Sequence, residues 1–464
     1  MINNTSDTIA AIATSVGESG IGIVRLSGQG ALSIADKIFL AKDGKKPSEF
    51  KTYTVHYGWI VDEPAHPHTG IIDEVLLTVM RAPRSYTKED VVEINCHGGI
   101  VAMRRVLELA LENGCRMAGP GEFTKRAFLN GRIDLAQAEA VLDIIRAKTD
   151  YALKIGAGQL SGVLSKQINR AREALLEMLS ILEANIDFPE EEISVVDLNN
   201  ISERIGLLKS SLKDILGFSR LGRIIREGIS VVICGRPNVG KSSLFNSLLK
   251  EERSIVTHIA GTTRDTIEEI IDIKGIPIRI VDSAGILEPR GLIEKKAVWR
   301  SRRYAESADL VLLVFDGSRS LSRQDILLMK KLTAKVALAV INKADLKQKI
   351  EKDRIASLFK EVIEISARKG KNIHLLEDAI ARLIFKGEAA APEPFLISNL
   401  RHIELIRKAQ NSLAQAEKSL DNRFSVEFVA QDLKESLAYL DDILGRSFGE
   451  DLLERIFNNF CIGK

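Results

Sequence analysis

Residues 235–242 read Gly-Arg-Pro-Asn-Val-Gly-Lys-Ser, and few stretches restrict a chain's fold as far. They fit G-x-x-x-x-G-K-[ST], a turn whose backbone N–H groups wrap a nucleotide's phosphates while Lys241 reaches the outer two. Ser242 offers a hydroxyl to Mg2+. The turn needs a strand before it and a helix after it. Residues 228–234 (Gly-Ile-Ser-Val-Val-Ile-Cys) read as a buried strand, and 243–250 (Ser-Leu-Phe-Asn-Ser-Leu-Leu-Lys) as the helix. That helix would present its positive end to the phosphates. Asn238, Val239, Gly240, Lys241, Ser242 and Ser243 are therefore candidate nucleotide contacts. The bland alternative is a glycine-rich turn with no ligand, and the flanks and the downstream motifs weigh against it.

Those motifs sit at strand ends. Asp282-Ser-Ala-Gly285 fits D-x-x-G, in which Asp282 supports Mg2+ through water and the Gly285 N–H meets the γ-phosphate. Gly261-Thr-Thr-Arg-Asp265 precedes a hairpin predicted at 267–273 and 276–282, and a threonine there, Thr262 or Thr263, can complete the Mg2+ shell. Asn342-Lys-Ala-Asp345 fits N-K-x-D. Asp345 can accept both guanine donors, N1–H and N2–H2; adenine would leave the carboxylate unpaired, so discrimination is large. Ser366-Ala367-Arg368 is a short loop suited to back the base. Four such motifs in this order point to GTP as the nucleotide.

The hydrolytic group is less obvious. Many GTPases place a water-orienting Gln directly after D-x-x-G, but here Ile286 and Leu287 follow. No arginine finger is identifiable either. A second cation beside the phosphates could neutralise the same charge. Asn238 has a carbonyl oxygen that such an ion would accept, and it reads equally well as a loop-stabilising residue.

Around this module, 227–384, the chain changes texture. Residues 1–120 mix strands (21–26, alternation at 53–61, 75–80, 91–96) with helices (31–40 and 100–113), an α+β pattern. His97, before two glycines, reads as a capping or packing histidine. From 121 to 226 the pattern is helical, with an apolar stripe at Leu175, Leu176, Met178, Leu179, Ile181 and Leu182. The acidic run 190–192 reads as a solvated loop rather than a metal site. After 385 the helical pattern returns, with Leu433, Leu437, Leu440 and Leu444 along one face. Two helical halves flanking a complete α/β unit (further strands at 310–315, 336–341 and 362–365) are expected to form one bundle with the nucleotide module inserted.

Across 464 residues, 65 Lys and Arg against 63 Asp and Glu argue neither for nor against nucleic acid. Any RNA contact would be a local patch. No apolar run reaches the roughly 18 residues of a membrane span. No secretion or transit signal is visible, and four scattered cysteines suggest neither disulfides nor zinc, so a cytoplasmic protein is expected.

The chain resembles the MnmE/TrmE family of tRNA-modification GTPases from end to end. The likeness rests on Gly22-Ile-Val-Arg-Leu-Ser-Gly28, Glu89-Asp-Val-Val-Glu-Ile-Asn-Cys-His-Gly-Gly99 and the stretch from Pro120 to Ala140. Asp187-Phe-Pro-Glu-Glu-Glu192, the GTPase motifs and the ending Phe460-Cys-Ile-Gly-Lys464 complete it. The resemblance implies a folate-binding N-terminal domain that makes a homodimer, with Arg25, Glu93, Arg132 and Lys464 at the formyl-tetrahydrofolate positions. Arg132 stands where some members carry Lys. It implies K+ held by Asn238 and by Thr257, Ile259 and Thr262, and a water-positioning role for Glu294; Asn238, Lys241 and Glu294 would carry catalysis. Ser283 replaces the more usual Thr. The implied partners are tRNA and a separate FAD-dependent MnmG/GidA-type protein, together installing an aminomethyl-type group at C5 of the wobble uridine. The role of Cys461 stays open. The division implied is 1–120, 121–226, 227–384 and 385–464. The competing reading is a ribosome-assembly regulatory GTPase; such proteins append a KH module with a G-x-x-G loop, and none follows residue 385. Arg300, Arg302 and Arg303 could touch RNA or form a solvated helix face.

Overall fold

The computed structural model describes residues 7–62, 70–187, 195–251, 268–282, 308–332, 336–385, 396–447 and 449–464. Its elements run β1 (Ile9–Ile12), β2 (Gly22–Ser27), α1 (Ala31–Ile38), β3 (Phe39–Ala41), β4 (Thr54–Val61), β5 (Ile71–Met80), β6 (Val91–Cys96), α2 (Ile100–Glu112) and β7 (Arg116–Met117). Helices α3 (Glu122–Leu129), α4 (Leu135–Arg146), α5 (Asp150–Leu160), α6 (Val163–Asp187), α7 (Val195–Gly217) and α8 (Ser219–Glu227) follow. Then come β8 (Ile229–Cys234), α9 (Lys241–Glu251), β9 (Glu268–Ile273), β10 (Ile276–Asp282), β11 (Leu310–Asp316), α10 (Arg323–Leu332), β12 (Ala337–Asn342), α11 (Lys352–Ala356), β13 (Val362–Glu364) and α12 (Ile373–Phe385). The chain closes with α13 (Leu400–Asp421), α14 (Val426–Leu444) and α15 (Glu450–Phe457). No helix among the described residues is long and apolar enough to cross a membrane.

Two compact units emerge. The first comprises Met1–Leu142, Ser165–Arg172 and Ala438–Lys464; the second Asp143–Leu164 and Glu173–Leu437. In the first, seven strands order as β3-β4-β5-β6-β2-β1-β7. The sheet buries one face: Val24, Leu26, Val75, Leu77, Val79, Val92 and Ile94 alternate along their strands into a core shared with α1 and α2. The strands expected at 21–26, 53–61 and 91–96 lie within a residue of β2, β4 and β6, the one at 75–80 covers only the second half of β5, and the short strands β1 and β7 carry no pattern long enough to announce them. Alternation misses β3, which the apolar run hides at the end of α1; Phe39 and Ala41 leave the helix because they pair with Ile60 and Gly58 of β4. Residues Phe457 and Phe460 join Ala127, Phe128, Leu135 and Leu142 in a further cluster, so the end of the chain is part of this unit.

The second unit holds a six-stranded sheet, β13-β12-β11-β8-β10-β9, in which only the β9–β10 pair is antiparallel. Both of its faces are covered along β11 and β12, so these two strands are apolar up to the polar residue that ends each, Asp316 and Asn342. Leu310, Leu312 and Val314 of β11 pack with Leu244 and Leu248 of α9 and Leu376 and Ile380 of α12. Val311, Leu313 and Phe315 pack on the opposite face with Met329 of α10 and Ile355 of α11. The fold is thus the expected mostly parallel sheet with helices on both faces.

The helical part of this unit packs α7 along α13. Lys209 of α7 pairs with Glu417 of α13, Lys434 of α14 with Glu183 of α6 at 3.0 Å, and the Ser436 hydroxyl donates to the Ala409 carbonyl at 3.1 Å. The stripe on α6 is narrower than its composition suggests. Leu175, Met178, Leu179 and Leu182 are buried, whereas Leu176 and Ile181 are exposed. Thr149, which caps α5, also donates to the Gly275 carbonyl at the turn between β9 and β10, at 3.0 Å, and so ties helix to sheet.

Candidate functional site

The phosphate loop leaves β8 and enters α9, as its sequence requires. Two of its residues depend on backbone freedom. Gly235 has φ 150° and a Cβ there would meet the Val314 carbonyl oxygen at 2.5 Å; Gly240 has φ 97° and a Cβ would meet Asn342 Nδ2 at 2.2 Å. Asn238 takes the left-handed region too, at φ 63°. Asn tolerates that conformation better than most residues. Val239 plugs the loop into the core at 5% exposure, while Ser242 and Ser243 open the first turn of α9 and are exposed. Lys241 is buried and its Nζ donates to the Arg236 carbonyl at 2.9 Å.

Adjacent strand ends bring the N-K-x-D residues and the Ser-Ala-Arg loop to the same edge. Asn342 ends β12, is 3% exposed, and bridges two loops. Its Nδ2 donates to the Val239 carbonyl at 2.9 Å, and its Oδ1 accepts from the N–H groups of Lys343 at 2.8 Å and Ala367 at 3.0 Å. Lys343 Nζ reaches the Asn238 carbonyl at 3.0 Å. The buried Ser366 hydroxyl donates to Asp345 Oδ1 at 2.6 Å, and that bond holds the Asp345 carboxyl below its ordinary value. Asp345 is therefore a fixed carboxylate with its second oxygen available to a paired donor. Arg368 lies in the same loop, exposed. Asp282 ends β10, opposite Ile233 of β8 in register. Thr257, Ile259, Thr262, Thr263, Gly285 and Glu294, as well as the acidic run 190–192 and Arg300, Arg302 and Arg303, lie outside the described residues.

One contributor escapes the motifs. Asp316, at the end of β11, pairs with Lys343 Nζ at 2.6 Å. Burial alone would raise its carboxyl, but Lys343 and Ser318 outweigh that and hold it below the ordinary value. The signal available in the sequence is the acidic residue that closes an apolar strand, as Asp282 closes β10.

A second constellation forms in the first unit. Strands β2 and β6 place Arg25 directly opposite Glu93. Their side chains pair through two guanidinium nitrogens at 2.8 and 2.7 Å, and a third nitrogen of Arg25 donates to the Gly463 carbonyl at 3.3 Å. The C-terminal tail is sewn to the turn before α3, because the Gly121 and Phe123 N–H groups donate to the carbonyls of Cys461 and Lys464 at 3.3 and 3.1 Å. Two aromatic rings that the sequence does not single out complete the group. The Arg25 guanidinium lies 5.6 Å from the Phe123 ring centre and 5.9 Å from that of Tyr86, and Arg132 lies 4.7 Å from Tyr86. Arg25, Glu93, Arg132 and the backbone of Lys464 thus converge around Tyr86 and Phe123. His97 differs from the capping or packing role expected of it. Its ring is exposed and sits 2.6 Å from Asp73, whose carboxylate raises the imidazole above its ordinary value.

A phosphate loop between a parallel strand and a helix, with N-K-x-D and a serine-braced carboxylate at the same sheet edge, defines a phosphate-loop GTPase. A model of the "GTP-binding protein TrmE N-terminus" matches residues 8–132, and one of the "MnmE helical domain" matches residues 135–461. The chain belongs to the MnmE/TrmE family. It is 47% identical over 460 residues to "tRNA modification GTPase MnmE" of Clostridioides difficile (strain 630), covering 99% of both chains. It is 45% identical over 461 residues to the Bacillus subtilis (strain 168) protein of that name, covering 99% of this chain and 100% of that one. A solved structure of Aquifex aeolicus Era overlaps 40% of this chain and 66% of its own at 28% identity; a TM-score of 0.28 is too loose to argue from.

Proposed function

We propose that the chain is the GTP-hydrolysing component of a tRNA wobble-uridine C5 modification enzyme, stimulated by K+ and charged with a folate one-carbon unit. The observation that carries this reading is the coexistence of two sites in one chain. One is the guanine-selective phosphate loop; the other is the cradle of Arg25, Glu93, Arg132 and the tail around Tyr86 and Phe123. The second has the chemistry a reduced folate needs. The half-buried ring of Tyr86 suits a pterin, with the fully buried Phe123 behind the site, Glu93 is a carboxylate for its N–H groups, and the cations Arg25, Arg132 and Lys464 suit carboxylates of a glutamyl tail. 5-Formyl-tetrahydrofolate or a related folate is the proposed occupant, supplying the one-carbon unit. In the phosphate loop, Ser242 and Thr263 would hold Mg2+, which neutralises charge on the phosphates. Asn238 with Thr257, Ile259 and Thr262 would hold K+. The exposed left-handed Asn238 suits an ion contact, since its backbone carbonyl is already taken by Lys343. Lys241 binds the outer phosphates and Glu294 would orient the attacking water.

The family likeness supports a homodimer in the cytoplasm, acting on tRNA with an FAD-dependent MnmG/GidA-type partner. The alternative of a ribosome-assembly GTPase lacks support in the family models, which span residues 8–132 and 135–461 with no KH module. The test has three arms. GTP turnover should rise strongly when Na+ is exchanged for K+; equal rates remove the ion. Glu294→Ala should keep GTP affinity near normal and collapse hydrolysis. Cells lacking the protein should accumulate unmodified wobble uridine by nucleoside mass spectrometry, and normal nucleoside levels would end the tRNA assignment.

A further inference from the structure

Strands β11 and β12 end side by side, with Asp316 opposite Asn342 in register. The next residue, Lys343, has φ 65°, and its ammonium reaches two oxygens. It donates to Asp316 Oδ2 at 2.6 Å and to the Asn238 carbonyl at 3.0 Å. The other carboxylate oxygen, Oδ1, accepts from the Ser318 N–H at 3.0 Å and the Ser318 hydroxyl at 2.6 Å. The Asp316 side chain is 10% exposed and that of Lys343 29%. A line of contacts therefore runs from a fixed carboxylate, through an ammonium, to the peptide of a residue in the left-handed region.

That peptide is the part of the phosphate loop with most reason to drift. Asn bears φ near +60° better than most side chains, yet the conformation still costs up to roughly 1 kcal/mol, so the turn persists where its surroundings hold it. A lysine ammonium alone is a poor brace, being a flexible stem with three rotatable donors and a strong preference for water. A second, fixed carboxylate partner cures this by immobilising the ammonium, so that its next N–H points at Asn238.

We propose that Asp316 is a positioning residue for GTP binding: through Lys343 it locks the Asn238 peptide in the turn that receives the phosphates. The inference rests on GTP occupying this loop, and goes beyond that reading by adding a residue outside the phosphate-loop, D-x-x-G and N-K-x-D motifs. Asp316 touches neither nucleotide nor metal in this role.

The experiment uses the full chain and a fluorescent GDP analogue displaced by excess GDP. Asp316→Asn keeps shape and loses charge; Asp316→Ala loses both. Both should speed GDP release about tenfold, equivalent to about 1.4 kcal/mol. The KM for GTP should rise by the same factor while kcat at saturating GTP stays within about twofold. Lys343→Met should speed release at least as much, and adding Asp316→Asn to it should change nothing further, because one residue acts through the other. Wild-type release from Asp316→Asn overturns the proposal, as do additive effects in the double variant. A lowered melting temperature with unchanged release would also overturn it, making Asp316 a strand-end packing group. If the wild-type chain fails to bind the GDP analogue at all, the nucleotide reading itself has failed, which is a different result.

Discussion

Asn342→Ala tests how the two halves of the nucleotide site hold together. The side chain is 3% exposed and makes three hydrogen bonds, one to the phosphate loop and two within the base-side loops. Truncation leaves the Val239 carbonyl and the N–H groups of Lys343 and Ala367 without that partner. Each buried group left unsatisfied costs about 1–3 kcal/mol. Water can enter the space of a lost amide at this rim, so the lower figure applies to each and the total is about 3 kcal/mol. The neighbours Ile365 and Ile341 are fully buried. One of the three bonds, about 1 kcal/mol of that total, joins the phosphate loop, so its loss should weaken GDP binding by about fivefold, at 1.4 kcal/mol per decade. The rest, about 2 kcal/mol, should lower the melting temperature of the nucleotide module by about 4–8 °C. Equilibrium titration with a fluorescent GDP analogue and calorimetry read the two parts separately. Asn342→Asp sharpens the test, since it keeps the acceptor for both N–H groups but sets an oxygen against the Val239 carbonyl. It should retain most of the stability and still lose the affinity. Affinity within threefold of wild type in both variants would refute the bridging role.

Two further outcomes concern the first unit. Arg126 is 3% exposed and bonds Glu89 at 3.2 Å, Glu122 at 3.0 Å and Asp7 at 2.6 Å; breaking such a buried cluster from one side costs about 3–5 kcal/mol, so Arg126→Met should melt this unit first in calorimetry. Burial would raise the carboxyls of Glu122 and Asp7, but their arginine partners hold both below their ordinary values of 4.5 and 3.8. A depressed folded pKa gives stability that is full above the unfolded value and is lost as pH falls through the folded one. The gap between wild type and Arg126→Met should therefore be widest near neutrality and shrink below about pH 4.5; a gap independent of pH would contradict the charge argument. Gly463→Ala forces a side chain to within 2.3 Å of the Ile12 carbonyl at φ 93°, so the tail should lift from Arg25 and affinity for the proposed folate should fall at least tenfold by titration calorimetry, at 1.4 kcal/mol per decade. An unchanged affinity would mean the tail is no part of the cradle.

What this sequence determined alone was everything set by local pattern. The apolar runs fixed β8, β11 and β12 within a residue because both faces of a parallel sheet are buried, and the turn at Lys274-Gly275 fixed β10, where Arg279 stays exposed. The glycine spacing and Lys241 announced the phosphate loop, and motif order announced guanine, since each motif sits at a strand end where the chain can turn. The tertiary structure decided what depends on meeting across distance. Strand β3 exists only because β4 offers Phe39 and Ala41 a partner, against a helix-compatible local run. Tyr86 and Phe123 carry no periodic signal, yet strand pairing and the docked tail bring them to Arg25 and Arg132. Asp316 looks like any acid closing a strand until β12 lays Lys343 beside it. Leu176 and Ile181, apolar but exposed, make the same point in reverse. Composition tells what a helix could bury, and only its neighbours settle which face does so, because burial stabilises a side chain solely where another surface comes to cover it.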